Sequence, residues 1–406
     1  RASDPYHCTN VPILANTLKG ATAAVGYSND YDKYTICQSM GDCFKVMGVA
    51  PVILINVLDP NKHKKDMAET TVQVNSGVAT VEQKDILLDK LVVKSASTTL
   101  TAGTDYTAAF DDDGYVTIAI IPGGKAASAT SLTVSGVHID PDAVTAADIV
   151  GGVNAKGVET GMEVIRQIYP ALNMTPGILL APGWSENATV AAGLQAKTGN
   201  INGVFRAVCI VDIDSSATGA TTYTEVKQQK EKQTVTSPNC YPVWLYAKVG
   251  DTRYAGSAMA AALTVATDAA NGDIPHVSPS NKTLAISAAC LKDGTEVLLD
   301  QEQANVVNSF GVATWLNMNG FRLWGNNTAA YPGTTDPKDR WFSVRRFMSW
   351  DDNTFIQTYF QKVDDPLNKR LIEALVDSEN VRGNSFVSRG ICARHEIQYI
   401  ESENPT

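Results

Sequence analysis

Apolar residues recur every three or four positions through "DYDKYTICQSMGDCFKVMG". Tyr34, Cys37, Met40, Phe44 and Met47 fall on one face, and Gly48 follows them. That period predicts an amphipathic helix that stops at the glycine, which closes a helix in left-handed backbone without a Cβ clash. The run "APVILINVLD" comes next and is apolar throughout. It predicts a strand buried on both faces.

From about Lys64 to Pro141 the period changes to two. "TTVQVNSGVATV", "KLVVKSASTTLTAGTDYTAAF" and "GYVTIAIIPGGKAASATSLTVSGVHI" are rich in Thr, Val and Ser and are broken by Gly or Asp turns. This texture predicts an all-β sandwich or barrel inserted into an α/β domain. "DDDG" at 111–114 reads as a hairpin turn, because it lacks the ligand alternation and the twelfth-position glutamate of a calcium loop.

After residue 145 helical patterns return at 158–169, 186–198, 223–234 and 256–270, with Ser185 offered as an N-cap for the second. Between them lie the apolar runs "GILLAP", "FRAVCIVDID" and "YPVWLYAKV". Alternating strand and helix predicts a mostly parallel sheet covered on both faces. Beyond about Asp293, Asn319-Gly320 between apolar runs predicts a tight hairpin. Helical patterns follow at 345–360 and 366–380, the second with Pro366 near its start after Asp364-Asp365. In "ICARHEIQYI", Ile391, Ala393, His395, Ile397 and Tyr399 share one face, opposite Cys392, Arg394, Glu396 and Gln398. That predicts a half-buried strand. The fold class expected is multidomain α/β. A mostly parallel α/β core (1–63 and 142–292) would carry an inserted β domain (64–141) and a C-terminal α+β subdomain (293–406).

Composition narrows the function more than the fold. Apolar residues are 44% and charged residues 19% of 406, a globular balance. The net charge of −10 argues against a non-specific nucleic-acid binder, which carries a basic stripe. The one dense basic run, Lys62, Lys64 and Lys65 in "NKHKK", reads as a solvated loop. No stretch of about eighteen uninterrupted apolar residues occurs, so no membrane-spanning helix is expected. The seven cysteines (8, 37, 43, 209, 240, 290 and 392) are scattered with no C-x-x-C pair, and read as small buried apolar residues in a reducing compartment. Opening on "RASDPYHCTN" without Met and closing on "IQYIESENPT", the chain reads as a fragment trimmed at both ends.

The usual catalytic signatures are missing. Ser185 in "PGWSEN" lacks the second glycine of a nucleophile elbow. There is no phosphate loop and no G-x-G-x-x-G after a strand, and "GGVNAKGVETG" has the wrong spacing. The five histidines (7, 63, 138, 276 and 395) form no H-x-x-x-H or H-E-x-x-H pair, leaving only a constellation assembled in space. Arg345 and Arg346 are adjacent and so point different ways. One is expected to pair with a buried carboxylate and the other to face solvent or a neighbouring chain. No catalytic, cofactor or metal residue is assigned.

Several stretches taken together resemble the tail sheath proteins of contractile phages and phage-tail-like particles. "KYTICQSMGDCFKVMGVAPVILINVLDP" is similar to the family's helix, glycine turn and strand, and "AGSAMAAALTVATDAANGDIPHVSPSNKTL" to its alanine-rich helix and the segment after it. "GFRLWGNNT", "RWFSVRRF" and "ARHEIQYIESENPT" resemble its Trp-Gly hairpin, double-arginine helix start and late strand. Asn327 stands where members often carry arginine, and the β insertion supports no detailed transfer.

The resemblance implies a subunit that polymerises with copies of itself into a helix of stacked, hexameric rings around a tail tube, and that contracts without fuel. Its partners would be the tube, baseplate and tail terminator proteins, without direct nucleic-acid contact or membrane insertion. Its place would be the virion tail or a tail-like particle, assembled in the bacterial host cytoplasm. Residues Ile391, Ala393, Arg394, Glu396, Ile397 and Gln398 would form the last strand of a platform to which neighbouring chains add strands. Trp324, Gly325, Trp341, Arg345 and Arg346 would form the platform core. Lys369, Arg370 and Arg382 are the candidates for tube contact. The trimmed chain itself would be monomeric, since both linking arms would be absent. Two other readings stay open: an α/β small-molecule enzyme with an unrecognised site, or another virion structural protein.

Overall fold

The computed structural model describes residues 4–366 and 368–403. Near the N-terminus, β1 (Pro12–Ala15) leads into α1 (Leu18–Val25) and α2 (Ile36–Gly41), and the chain returns as β2 (Val52–Ile55). The helix expected over Tyr34–Met47 is present as α2 running on into a wider π-turn, Asp42–Met47. Gly48 closes it at φ +64°. The strand expected to be buried on both faces is corrected. Among the described residues β2 pairs only with β1, antiparallel, and it is mostly half-buried. Its residues line an apolar cavity of about 840 Å³, which is also lined by Leu87, Ile149, Ile165 and Leu179.

Residues 64–139 hold β3 (Lys64–Gln73), β4 (Val78–Lys84), β5 (Val92–Ser95), β6 (Thr98–Thr99), β7 (Tyr106–Phe110), β8 (Tyr115–Ile120) and β9 (Ser131–Ile139). They form two antiparallel sheets, ordered β3-β9-β5-β6 and β4-β8-β7. The inward residues Val81, Val93, Val116, Ile118, Leu132 and Val134 make a core separate from the rest of the molecule. Alternation of apolar and polar positions dictates this sandwich, since each strand offers one face to the core. Asp111–Gly114 is the β7–β8 turn, with the Tyr115 amide donating to Asp111 Oδ1 at 2.8 Å. The module leaves and rejoins the chain through neighbours: Lys64 pairs with Ile139, and the Asp140 amide donates to the His63 carbonyl at 2.9 Å.

The chain continues through α3 (Ala146–Val150), the short pair β10 (Gly152–Val153) and β11 (Glu159–Thr160), a 3-10 stretch at 161–167, and α4 (Ile168–Leu172). The helix expected at 158–169 therefore begins later, after a strand. Next come β12 (Ile178–Leu179), α5 (Ala188–Lys197), β13 (Val208–Ile213), α6 (Val226–Lys232), β14 (Cys240–Trp244), β15 (Tyr246–Val249), β16 (Thr252–Tyr254), α7 (Gly256–Ala269) and β17 (Ala288–Cys290).

β12, β13 and β14 run parallel, and every residue of β13 is buried. Its five apolar residues, Val208–Val211 and Ile213, suit a strand with both faces covered. The expectation of a mostly parallel sheet is corrected: among the described residues the parallel sheet has these three strands, extended only by a parallel bridge from Val243 to Ala313. Leu245, at φ +85°, redirects the chain from β14 into an antiparallel sheet ordered β16-β15-β17. α7 is buried from Gly256 to Thr264, which its alanines allow by bringing its backbone close to β13 and β14. Asp212, the one acid in β13, is spent on this docking. Its carboxylate accepts from the Ser257 amide at 2.7 Å and from the hydroxyls of Ser257 and Ser185 at 2.6 and 2.8 Å. Ser185 is therefore a buried strut, and the N-cap of α5 is Asn187, which accepts from the Thr189 and Val190 amides.

The last third comprises α8 (Gln301–Ser309), β18 (Thr314–Asn317), β19 (Phe321–Trp324), α9 (Pro337–Arg340), α10 (Phe342–Tyr359) and α11 (Lys369–Ser388). β18 and β19 form the expected hairpin around Met318-Asn319-Gly320, with Asn319 and Gly320 both at positive φ. α11 is capped by Asn368, accepting from the Leu371 amide at 3.0 Å, and not by the acids before Pro366. All seven cysteines are free thiols and six are buried.

Candidate functional site

The Trp-Gly hairpin is joined to the end of the parallel sheet. Ala313, just before β18, exchanges backbone hydrogen bonds with β14: the Trp244 amide donates to the Ala313 carbonyl and the Ala313 amide to the Pro242 carbonyl, both at 2.9 Å. The buried Trp315 indole donates to the Leu245 carbonyl at 3.1 Å. The rigid core strand thus continues into the hairpin.

Gly325 follows Trp324 at φ +135°, and a Cβ there would lie 3.1 Å from the Ala313 Cα. Its carbonyl accepts from the Tyr241 hydroxyl at 2.6 Å. Trp324 is half-buried and donates to Asn305 Oδ1 of α8 at 2.9 Å. The second tryptophan run lies beside the first, because Asn327 bridges Trp341 and the Phe342 amide donates to the Asn326 carbonyl at 2.8 Å. Phe342 stacks on Tyr241 with ring centres 4.1 Å apart. Asn327, at the place where the family often carries arginine, is itself held by an arginine. Arg340 donates from Nε to Asn327 Oδ1 at 3.1 Å and lies over the rings of Tyr331 and Trp341.

The adjacent arginines diverge as expected. Arg346 is buried and makes a two-pronged pair with Asp268 at the end of α7, at 3.0 and 2.5 Å. Arg345 stays partly exposed, donating to Asn239 Oδ1 at 2.6 Å and to Asp339 Oδ1 at 3.2 Å. Together they fasten α10 to the core at two separate points.

The segment 391–400 differs from its expectation and is corrected. His395, Ile397 and Tyr399 do turn inward while Arg394, Glu396, Gln398 and Ile400 turn outward, but Ala393 is exposed and Cys392 half-buried. Among the described residues no β-ladder or bridge joins 391–400 to another strand, so it is an extended segment lying against α11. The Asn380 side chain supplies the backbone contacts that a strand would. It accepts from the Ile397 amide at 2.8 Å and donates to the Ile397 carbonyl at 3.0 Å. Arg394 instead pairs outward with Glu396.

Lys369 and Arg370 are exposed in the first turn of α11. Arg382 is not available in the same way. Its Nη2 donates to Asp351 Oδ1 of α10 at 2.6 Å and its Nε to the buried Glu379 Oε1 at 2.7 Å. His395 Nε2 lies 2.8 Å from Asp351 Oδ2. The facing ligand atoms of Asp351, Glu379 and His395 lie within 4.8 Å of one another. No local spacing marks this cluster, since three separate elements contribute to it.

Other buried titratable groups support the fold. Burial pushes Glu186 up to about 7, against the opposing charge of Lys292, and its Oε1 accepts from the Tyr246 hydroxyl at 2.9 Å. Ser185 is fully buried and both donates to and accepts from Asp212, so its hydroxyl cannot reach a substrate. No helix among the described residues is long and apolar enough to cross a membrane.

Stacked rings and paired arginines join the Trp-Gly hairpin and α10 to the core, and an extended segment lies along α11. The tail sheath protein of Burkholderia phage BcepMu is 30% identical over 391 residues, covering 92% of this chain and 78% of that protein. A putative prophage major tail sheath protein of Pseudomonas aeruginosa is 28% identical over 257 residues, 62% of each chain. The crystal structure of a sheath tail protein from Desulfitobacterium hafniense has the same fold, with a TM-score of 0.52 at 11% identity over 94% of this chain and 82% of that one. No family model matches. The chain belongs to the tail sheath protein family.

Proposed function

We propose that this chain is the repeating subunit of a contractile tail sheath, linked to its neighbours by strand addition at residues 391–398. The observation that carries this is the extended segment itself. It has the alternating faces of a strand, lies on a rigid helical support, and joins no ladder among the described residues. Main-chain pairing from a neighbouring subunit would complete it. Trp324, Gly325, Trp341, Arg345 and Arg346 hold the platform rigid, so each subunit moves as a body while linking strands keep the polymer continuous. A few kcal/mol released per subunit, summed over a long helix, supplies the work, and the subunit needs no catalytic centre. Hexameric rings, tube, baseplate and terminator partners, and assembly in the host cytoplasm belong to this reading.

The α10–α11 end is the proposed tube-facing surface. Lys369 and Arg370 sit in the first turn of α11, where the helix dipole disfavours cations by about 0.3–1 kcal/mol each. Neither forms an ion pair with a described residue, so their placement fits an external anionic partner better than it fits the fold. Phe360 and Val363 are exposed in the same loop region. Arg382, held in internal ion pairs, drops out of this role.

Electron microscopy of the chain extended to its relatives' length, co-expressed with its tube protein, tests the reading. Striated cylinders on tubes are expected, and Lys369→Glu/Arg370→Glu should leave tubes bare. Smooth shells, or cylinders unaffected by the charge reversal, would overturn the assembly role or the tube-contact assignment respectively.

A further inference from the structure

We propose that Asp351, Glu379 and His395 form a binding site for a divalent transition metal of the Zn²⁺ type, for which Arg382 is the resident competitor. The donors are one imidazole and two carboxylates, drawn from the C-terminal segment and two facing helices. Zn²⁺ accepts such nitrogen and oxygen donors, and a three-residue set leaves the fourth tetrahedral position to water.

Two further features mark the cluster. Among the described residues, five buried side-chain polar atoms lack a hydrogen-bond partner, and three of them are here: Glu379 Oε2, Arg382 Nη1 and His395 Nδ1. The guanidinium thus satisfies the cluster incompletely. Its fork takes one oxygen from each acid, leaving the second oxygen of a Glu379 side chain that is 1% exposed. A buried carboxylate oxygen without a donor is costly.

The imidazole also has a shaped seat. Gly383 lies inside α11, where glycine costs about 1 kcal/mol relative to alanine. A Cβ there would lie 2.2 Å from His395 Nδ1. The missing side chain lets the ring rest against the helix beside Phe386, with ring centres 5.7 Å apart, and directs Nε2 at the carboxylates.

Arg382 can leave, whereas Glu379 cannot: its side chain keeps 23% exposure and is long enough to swing into solvent. With Arg382 in place, two carboxylates face one positive charge. With the metal, they face two. The ion would bind through His395 Nε2, replacing its contact with Asp351 Oδ2. The result is a staple fixing residue 395, in the proposed linking segment, to both helices.

The test is calorimetric titration of Zn²⁺ into the full chain and its variants, with native mass spectrometry for stoichiometry. Arg382→Ala should bind one Zn²⁺ at least about tenfold more tightly than the unsubstituted chain, a difference of about 1.4 kcal/mol. Arg382→Lys, which keeps the competing charge, should not. Adding His395→Ala to Arg382→Ala should abolish the tight site. The Co²⁺ form of Arg382→Ala should show the intense visible absorption of a four-coordinate ion. Equal affinity in the parent and Arg382→Ala, retained Zn²⁺ without His395, or a weak six-coordinate Co²⁺ spectrum would each overturn the proposal.

Discussion

Asp268→Ala would leave the Arg346 guanidinium buried without its anion. The pair joins α10 to the end of α7 through two hydrogen bonds of 3.0 and 2.5 Å. Arg346 is 8% exposed and Asp268 14%, so this is neither a surface contact nor a fully dry one. An exposed ion pair contributes about 0–1 kcal/mol. Removing one partner of a buried pair costs about 3–5 kcal/mol, because the survivor keeps its charge without solvent.

Residual hydration of Asp268 places Arg346→Met lower, at about 2 kcal/mol, and Asp268→Ala near 3 kcal/mol. Combining Asp268→Leu with Arg346→Met replaces the pair by apolar groups and should return to within about 1 kcal/mol of the parent. With Asp268→Leu alone costing as much as Asp268→Ala, the implied coupling is about 4 kcal/mol. Denaturant titration would measure these costs, and hydrogen exchange at the α10 amides would show whether the loss is local to that helix. If both single substitutions cost less than about 1 kcal/mol and their effects simply add, the pair does not fasten the helix.

Two further outcomes can be checked on the same protein. Burial pushes Asp42 up to about 7 from 3.8, with Oδ2 unpartnered. The folded state therefore holds that proton more tightly than the unfolded chain, and stability falls as pH rises through that window, by at most about 4 kcal/mol. Asp42→Asn should raise Tm at pH 8 with little effect at pH 4, and an equal change at both would contradict this. Lys230 donates to the carbonyls of Phe310, Ala329 and Tyr331 at 2.7, 2.7 and 3.0 Å from a buried position. Lys230→Met should cost about 2–4 kcal/mol by leaving those acceptors without a donor, and a loss under about 1 kcal/mol in denaturant titration would show that water replaces the ammonium.

Local signals were readable in the sequence where one short stretch decides the structure. Gly48 ends its helix, Asn319-Gly320 turns its hairpin, and the two-residue period of the β3–β9 region produces a sandwich. The divergence of Arg345 and Arg346 followed from adjacency alone. Partner choice was not readable in this way. The apolar "VILI" of β2 looks the same whether its neighbour is a parallel core strand or, as found, the antiparallel β1 about forty residues earlier. Ser185 and Asn187 are both good caps, and only Asp212, on another strand, decides between them. In 391–400 the alternation was real, but alternation describes side-chain faces and not whether the backbone has a partner. The Asp351, Glu379, Arg382 and His395 cluster draws on three elements, so only the Glu379–Arg382 spacing was visible locally.

The antiparallel stem of Lys64 and Ile139 has an evolutionary consequence. Because the chain departs and returns at touching positions, the sandwich is a closed excursion whose removal or enlargement leaves the core strands in register. A lineage could therefore shed, enlarge or exchange what hangs beyond the stem without disturbing the pairing at its base.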